Sequence, residues 1–229
     1  MAASVTFTLN GTELIADVSG GLYWPEQQSF VLADLHLEKG SSFARSGLLL
    51  PPYDSRASLD ALGHALARHR PRRVICLGDS FHDGDGAIRL GSAERERLSE
   101  LTRTHEWIWV AGNHDPAPPN GIGGMVVGDE ITFGPLTFRH CAEPESAAGE
   151  VSGHYHPKAS LWVRARRLSG RCFVADRRRI VLPAFGAYAG GLDVRDPALA
   201  SLFPKGCAVH LIARGRVATI ASDISTSID

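Results

Sequence analysis

Three short apolar runs in the first half of the chain stop abruptly at polar motifs, and this pattern limits the fold more than any other feature. Phe30-Val31-Leu32-Ala33 ends at Asp34-Leu35-His36, and Arg73-Val74-Ile75-Cys76-Leu77 ends at Gly78-Asp79. Trp107-Ile108-Trp109-Val110-Ala111 ends at Gly112-Asn113-His114-Asp115. Each run carries a buried-strand signal. Between them lie two stretches with helical spacing. In the first, Asp54 stands where an N-cap belongs and Leu59, Leu62 and Leu66 follow until Pro71. The second covers roughly Ser92 to His105, with Leu98 and Leu101 inward. The β-α-β-α-β rhythm predicts an α/β fold with polar motifs at the carboxyl ends of its strands, where ligands gather in open α/β sheets. Gly40 to Pro52, with its Ser, Gly and Pro, is expected to form a long loop over that site.

The second half changes character. Glu130–Phe133, a Gly134-Pro135 turn and Leu136–His140 read as a hairpin. Strand-like runs follow at Leu161–Ala165, Cys172–Ala175, Ile180–Leu182, Ala208–Ala213 and Val217–Ile220. So many short strands suggest a second sheet packed face to face on the first, with helices outside. The expected plan is a four-layer α/β/β/α sandwich, a single domain over residues 1–229. That length is enough to bury a real core.

No stretch approaches the roughly 20 apolar residues needed to cross a membrane, and the N-terminus does not read as a signal peptide. Cys76, Cys141, Cys172 and Cys207 are widely spaced without a CxxC pair, which favours reduced thiols in a cytoplasmic protein. Net charge is −1, so the whole molecule is not a polycation. Between Lys158 and Arg179, however, lie Lys158, Arg164, Arg166, Arg167, Arg171, Arg177, Arg178 and Arg179 against a lone Asp176. Such a local excess is either a phosphate-backbone footprint or a solvated strand face.

The polar motifs continue with His140 and Gly153-His154-Tyr155-His156. Residues two apart on an extended backbone share a face, so His154 and His156 can reach one site. Carboxylate, imidazole and carboxamide groups suit divalent Mn, Fe or Zn, and no thiolate is among them. Seven ligands are enough for two metals once a carboxylate is shared. Two metals about 3.5–4 Å apart suit phosphoryl transfer, in which they activate water and hold the phosphoryl oxygens.

The ordered set resembles the calcineurin-like binuclear metallophosphoesterases. That resemblance implies that Asp34, His36 and His156 hold one metal, Asp79 bridges, and Asn113, His140 and His154 hold the second. His114 would contact phosphate and help stabilise or protonate the leaving oxygen, with Asp115 orienting its ring. A hydroxide bridging the ions would be the nucleophile. Many members carry a ligand-orienting acidic or basic residue soon after Gly-Asp, whereas this chain reads Ser80-Phe81-His82-Asp83. His82 is then either an extra phosphate contact or a plain loop histidine.

A narrower resemblance rests on Asp34-Leu35-His36-Leu37-Glu38-Lys39-Gly40, Gly78–Asp83, Ser152–Pro157 and Leu182-Pro183-Ala184-Phe185-Gly186-Ala187-Tyr188. These motifs are similar to those of bacterial ligase-associated DNA-repair metallophosphoesterases. The resemblance implies a manganese-dependent endonuclease acting on DNA, with single strands the expected form, alongside an ATP-dependent DNA ligase, an exonuclease and a helicase. Arg166, Arg167 and Tyr188 are the candidate DNA contacts, through charge and base stacking. Phe185 fits core packing better, and Tyr155, between two ligands, should point away from them. His64 and His69 suit surface roles, and His105 and His210 stand apart from every cluster. Strand edges in the second half would allow a homodimer. A phosphatase or nucleotide hydrolase on the same metal core is the rival reading. A non-catalytic scaffold is disfavoured, because every ligand position is filled.

Overall fold

The structure, a computed structural model, describes residues 4–115, 121–163 and 166–221, with the side chains of 163, 166 and 221 outside the description. The first sheet runs β1 (Val5–Leu9), β2 (Thr12–Ala16), β3 (Leu22–Trp24), β4 (Ser29–Ala33), β5 (Arg73–Leu77), β6 (Glu106–Val110) and β7 (Met125–Val127) in spatial order. β1 to β4 pair antiparallel, and β4 to β7 pair parallel. The β4–β5 crossover carries α1 (Lys39–Arg45) and α2 (Asp54–His69). The β5–β6 crossover carries the one-turn α3 (Gly86–Arg89) and α4 (Ser92–Thr104).

The second sheet contains β8 (Glu130–Phe133), β9 (Leu136–Arg139), β10 (Glu150–Ser152), β11 (Lys158–Val163) and β12 (Arg166–Ala175). It is completed by β13 (Arg179–Val181), β14 (Ala208–Ala213) and β15 (Arg216–Ala221), with the single-turn α5 (Pro197–Ala200) between β13 and β14. Its spatial order is β15-β14-β12-β13-β10-β9-β8, and β11 pairs with β12 off that path.

Period-two alternation builds the layers. On β5 and β6, Ile75, Leu77, Ile108 and Val110 face the second sheet and meet Leu136, Phe138, Val151, Phe173 and Ile180. Their neighbours Val74, Cys76, Trp107 and Trp109 face the helices and pack on Leu59, Leu62, Leu66 and Leu98. Both faces are covered, which is why these strands read as unbroken apolar runs. The outer face of the second sheet presents Cys172, Val174, Val209 and Leu211 to Leu199, Leu202 and Phe203. The α/β/β/α plan is present, with its fourth layer reduced to α5 and the segments around it.

Two local expectations need correction. Asp54 is the first residue of α2 rather than its cap, which falls at Tyr53. Its buried carboxylate instead accepts the Gly40 N–H at 2.9 Å. Gly40–Pro52 is therefore not all loop. The first turns form α1, pinned to the start of α2 by that bond and by the Glu38 N–H donating to Ser55 Oγ at 2.8 Å. All four cysteines are free thiols.

Candidate metal centre

Register brings the motifs level. Ala33 pairs with Leu77, and Leu77 pairs with Val110, so the next residues of all three strands leave the sheet together. In the second sheet Phe138 lies opposite Val151. Two residues further on, the Gly153 N–H donates to the His140 carbonyl at 2.9 Å. The segment after β13 crosses onto the first sheet at an Ala33–Ala184 bridge, and the Phe185 and Gly186 N–H groups donate to the Ala33 and Asp34 carbonyls at 2.8 and 3.1 Å. The strand ends of two sheets thus face one space.

The seven expected ligands meet in that space. Asp34, His36 and His156 form one cluster, and Asp79, His140 and His154 form another. His36 Nε2 lies 3.2 Å from His156 Nε2, which is 3.3 Å from Asp34 Oδ1. Asn113 Oδ1 is 2.9 Å from His140 Nε2, which is 3.1 Å from His154 Nδ1. Asp79 Oδ2 sits between the clusters, 3.4 Å from His140 Nε2 and 3.9 Å from His36 Nε2. Its other oxygen accepts the His114 N–H at 2.9 Å, which fixes the carboxylate plane.

The backbone is bent to achieve this. Asp34, His36, Asp79, His154 and His156 all hold positive φ, between 44° and 70°. Residues of this kind are uncommon there, and such conformations gather at functional sites. Close approach explains two of the motif glycines. A Cβ on Gly112 would stand 2.2 Å from the Asp79 nitrogen, and one on Gly153 would stand 2.6 Å from Asp34 Oδ2. Either side chain would push a ligand out of place.

Electrostatics separates the imidazoles. Burial drives His36 down to about 3, against the pull of Asp34 and Asp79, so it is a neutral donor. Burial also opposes a charge on His140, but the Asp79 and Asp34 carboxylates outweigh it and raise the ring to about 9. Asp79 is held well below the usual carboxylate range, its burial overcome by His140 and the His114 N–H.

Residues 30–183 match the calcineurin-like phosphoesterase family, Metallophos, across both clusters and the strands that carry them. The chain belongs to that family. Nuclease MPE from Pseudomonas putida is similar in structure, with a TM-score of 0.76 and 26% identity over 95% of this chain and 100% of that one. YfcE, a phosphoesterase from E. coli, aligns at 13% identity over 85% and 99% of the two chains, with a TM-score of 0.43. No curated protein matches the chain.

This calcineurin-like phosphoesterase is a hydrolase of a family that uses a binuclear divalent centre, and its two clusters fit two cations. Asp34 is fully buried, and its Oδ1 has no hydrogen-bond donor among the described residues. A buried carboxylate oxygen without a donor, facing imidazole nitrogens, is a strong place for a positive ion. Two oxygen-bearing carboxylates, an amide and four imidazoles form a borderline-to-hard donor set. His140 Nδ1 donates to the Leu77 carbonyl at 3.0 Å, which turns Nε2 toward the cluster.

The structure gives the remaining candidates varied places. His114 projects an exposed ring, its Nδ1 2.8 Å from the His82 carbonyl and its Nε2 3.9 Å from Asp79 Oδ2. Asp115 does not orient that ring. It is buried, accepts the Phe81 N–H at 2.9 Å, and braces the loop after Asp79; burial pushes its carboxyl up to about 7. His82 stacks on His114 at 5.3 Å and on Phe43 at 5.6 Å, so it borders the centre.

The basic stretch is not one face. Arg179 is buried beside Glu150, and Arg171 donates to the Ala184 and Phe185 carbonyls at 2.9 and 3.0 Å. Arg167 is exposed and reaches Ser160, while the side chain of Arg166 and all of Arg164 lie outside the described residues. Tyr188 donates its hydroxyl to the Pro51 carbonyl at 2.8 Å, tying down the loop before α2. Phe185 is core, and the Tyr155 hydroxyl turns to Cys141. His69 is not a surface residue: it meets Asp17 at 2.8 Å and stacks on Tyr23. Sequence reasoning missed Lys39, whose charge bears on both His36 and His82. Its place three residues after His36 was the available signal.

Proposed function

We propose that this phosphoesterase is a manganese-dependent endonuclease that hydrolyses the phosphodiester bonds of DNA, single strands in preference, during cytoplasmic DNA repair beside an ATP-dependent ligase, an exonuclease and a helicase. The observation that carries this reading is the convergence of two ligand clusters on Asp79, in a fold that follows a bacterial nuclease along nearly its whole length. The repair setting, the metal and the partners rest on the resemblance of the sequence motifs.

When bound, the two cations supply an acidified water and neutralise charge on the phosphoryl oxygens. The protein's own part lies around them. The Nδ1–H of His114 is committed to the His82 carbonyl. Its Nε2 therefore donates only when the ring carries both protons, as a general acid at the leaving oxygen requires. The His82 carbonyl aims this ring, and the His82 imidazole stacks on its face.

The test is an assay with added Mn2+ that compares single-stranded DNA, duplex DNA and a panel of mononucleotides. Cleavage of single strands at internal positions is the expected result. Hydrolysis of mononucleotides without any cut in DNA would overturn the reading in favour of a small-ester phosphatase.

A further inference from the structure

One face of the metal centre opens into a cavity of about 480 Å3, and His156 forms part of its wall. That volume lies within the range of small-ligand sites. The walls are made mostly of small residues: Ala57, Ser58 and Ala61 from α2, Gly186 and Ala187 from the segment after β13. Lys158 and Arg171 supply positive charge, and the described lining residues include no carboxylate. The shape is maintained by Ser58 Oγ, which accepts the Ala187 N–H at 3.0 Å, and by Arg171, which grips the Ala184 and Phe185 carbonyls. The opposite flank, beside Asn113 and His140, is walled by Asp129, Glu130 and Glu143 with Arg139. A polyanion is therefore drawn to one side of the cations and repelled from the other.

We propose that this cavity receives one unpaired nucleoside next to the scissile phosphate, with Lys158 meeting the neighbouring backbone phosphate. The proposal rests on the nuclease reading and deepens it, because it makes strand separation a steric requirement. A lone base and sugar can enter, whereas a base held in a duplex cannot turn away from its partner without losing its pairing.

Ala57 is exposed on α2, so Ala57→Phe narrows the cavity without touching the core. Lys158→Gln removes the positive charge together with the ammonium's 3.4 Å hydrogen bond to the Ala189 carbonyl. Two readouts on the metal-loaded protein separate the cases. The first is the anisotropy of a fluorescein-labelled phosphorothioate thymidylate pentamer, which should bind each variant about tenfold or more weakly, the scale of one lost base contact. The second is kcat/KM for single-stranded DNA divided by that for methyl p-nitrophenyl phosphate, which carries no base. This ratio should fall by a similar factor in both variants. Wild-type binding and an unchanged ratio would overturn the cavity's role, as would equal loss on both substrates, or duplex DNA that competes as well as single strands. A wild-type protein that turns over the small diester yet never cuts DNA would instead sink the nuclease reading.

Discussion

The first sheet brings Asp34, His36, Asp79 and Asn113 to the centre, including both carboxylates, whereas the second brings only the imidazoles His140, His154 and His156. The first set leaves a ladder of parallel strands in strict register, and the second comes from the end of β9 and the connection after β10. Both carboxylates thus reside in one sheet and three of the four imidazoles in the other. Each cluster draws on both sheets, so a metal bound there would act as a strut between them.

The largest effect belongs to the residue shared by both clusters. Asp79→Ala should lower phosphodiester turnover by on the order of 10³-fold or more, beyond the loss of a single charge-stabilising donor. Metal analysis by mass spectrometry should show both positions weakened. His140→Ala gives the contrast, because it spares Asp34, His36 and His156 and should leave close to one tightly held ion. Two ions retained in His140→Ala would break the division into clusters. Next comes packing between the sheets. Phe138 is fully buried in the shared core, and Phe138→Ala should cost about 3–5 kcal/mol in urea unfolding.

The strut itself can be measured. Manganese at a hundred times its dissociation constant should stabilise the wild-type protein by about 2.7 kcal/mol, seen as a rise in Tm, and chelator should remove it. An equal rise in Asp79→Ala would show that the ions bind elsewhere. The smallest effect lies within the first half alone. Burial would raise the Asp17 carboxyl, but His69 and Arg68 overcome it and hold it far below its ordinary value. A depressed carboxylate stabilises the fold above its unfolded pKa of about 4, and this is lost as pH falls below that value. Asp17→Asn should therefore cost up to about 2 kcal/mol at pH 7, somewhat less at about pH 3, and least at still lower pH, where the folded-state carboxyl finally protonates. A penalty that stays constant as pH falls would contradict the pairing.

The same division governs what the sequence discloses. β4, β5 and β6 are buried on both faces, so their apolar runs and the motifs that end them are visible without coordinates. β1 and β2 lie outside the expected strands, although Asn10-Gly11 between alternating residues carries a hairpin signature. β7 and β10 are three residues long, too short for any period to register. The seven candidate ligands are legible only as an ordered set of motifs, since each motif alone has a plain reading as a turn or strand end. The roles of Asp115, Arg171 and Arg179 are not, since each depends on a carbonyl or N–H brought near by the fold. The cavity beside His156 is equally hidden, because alanine and glycine leave no mark that distinguishes an open wall from a packed one.

The left-handed backbone at five of the seven ligands limits any attempt to retune the centre. Asp and His, with Asn, are the side chains that best tolerate such torsions, so chemistry and conformation select the same short alphabet. Importing cysteine to favour a softer ion would meet a backbone penalty of order 1–3 kcal/mol at each strained position before any bond to the new metal formed. Ion preference here is guarded by the main chain as well as by its donor atoms, and redesign would have to begin with the torsions.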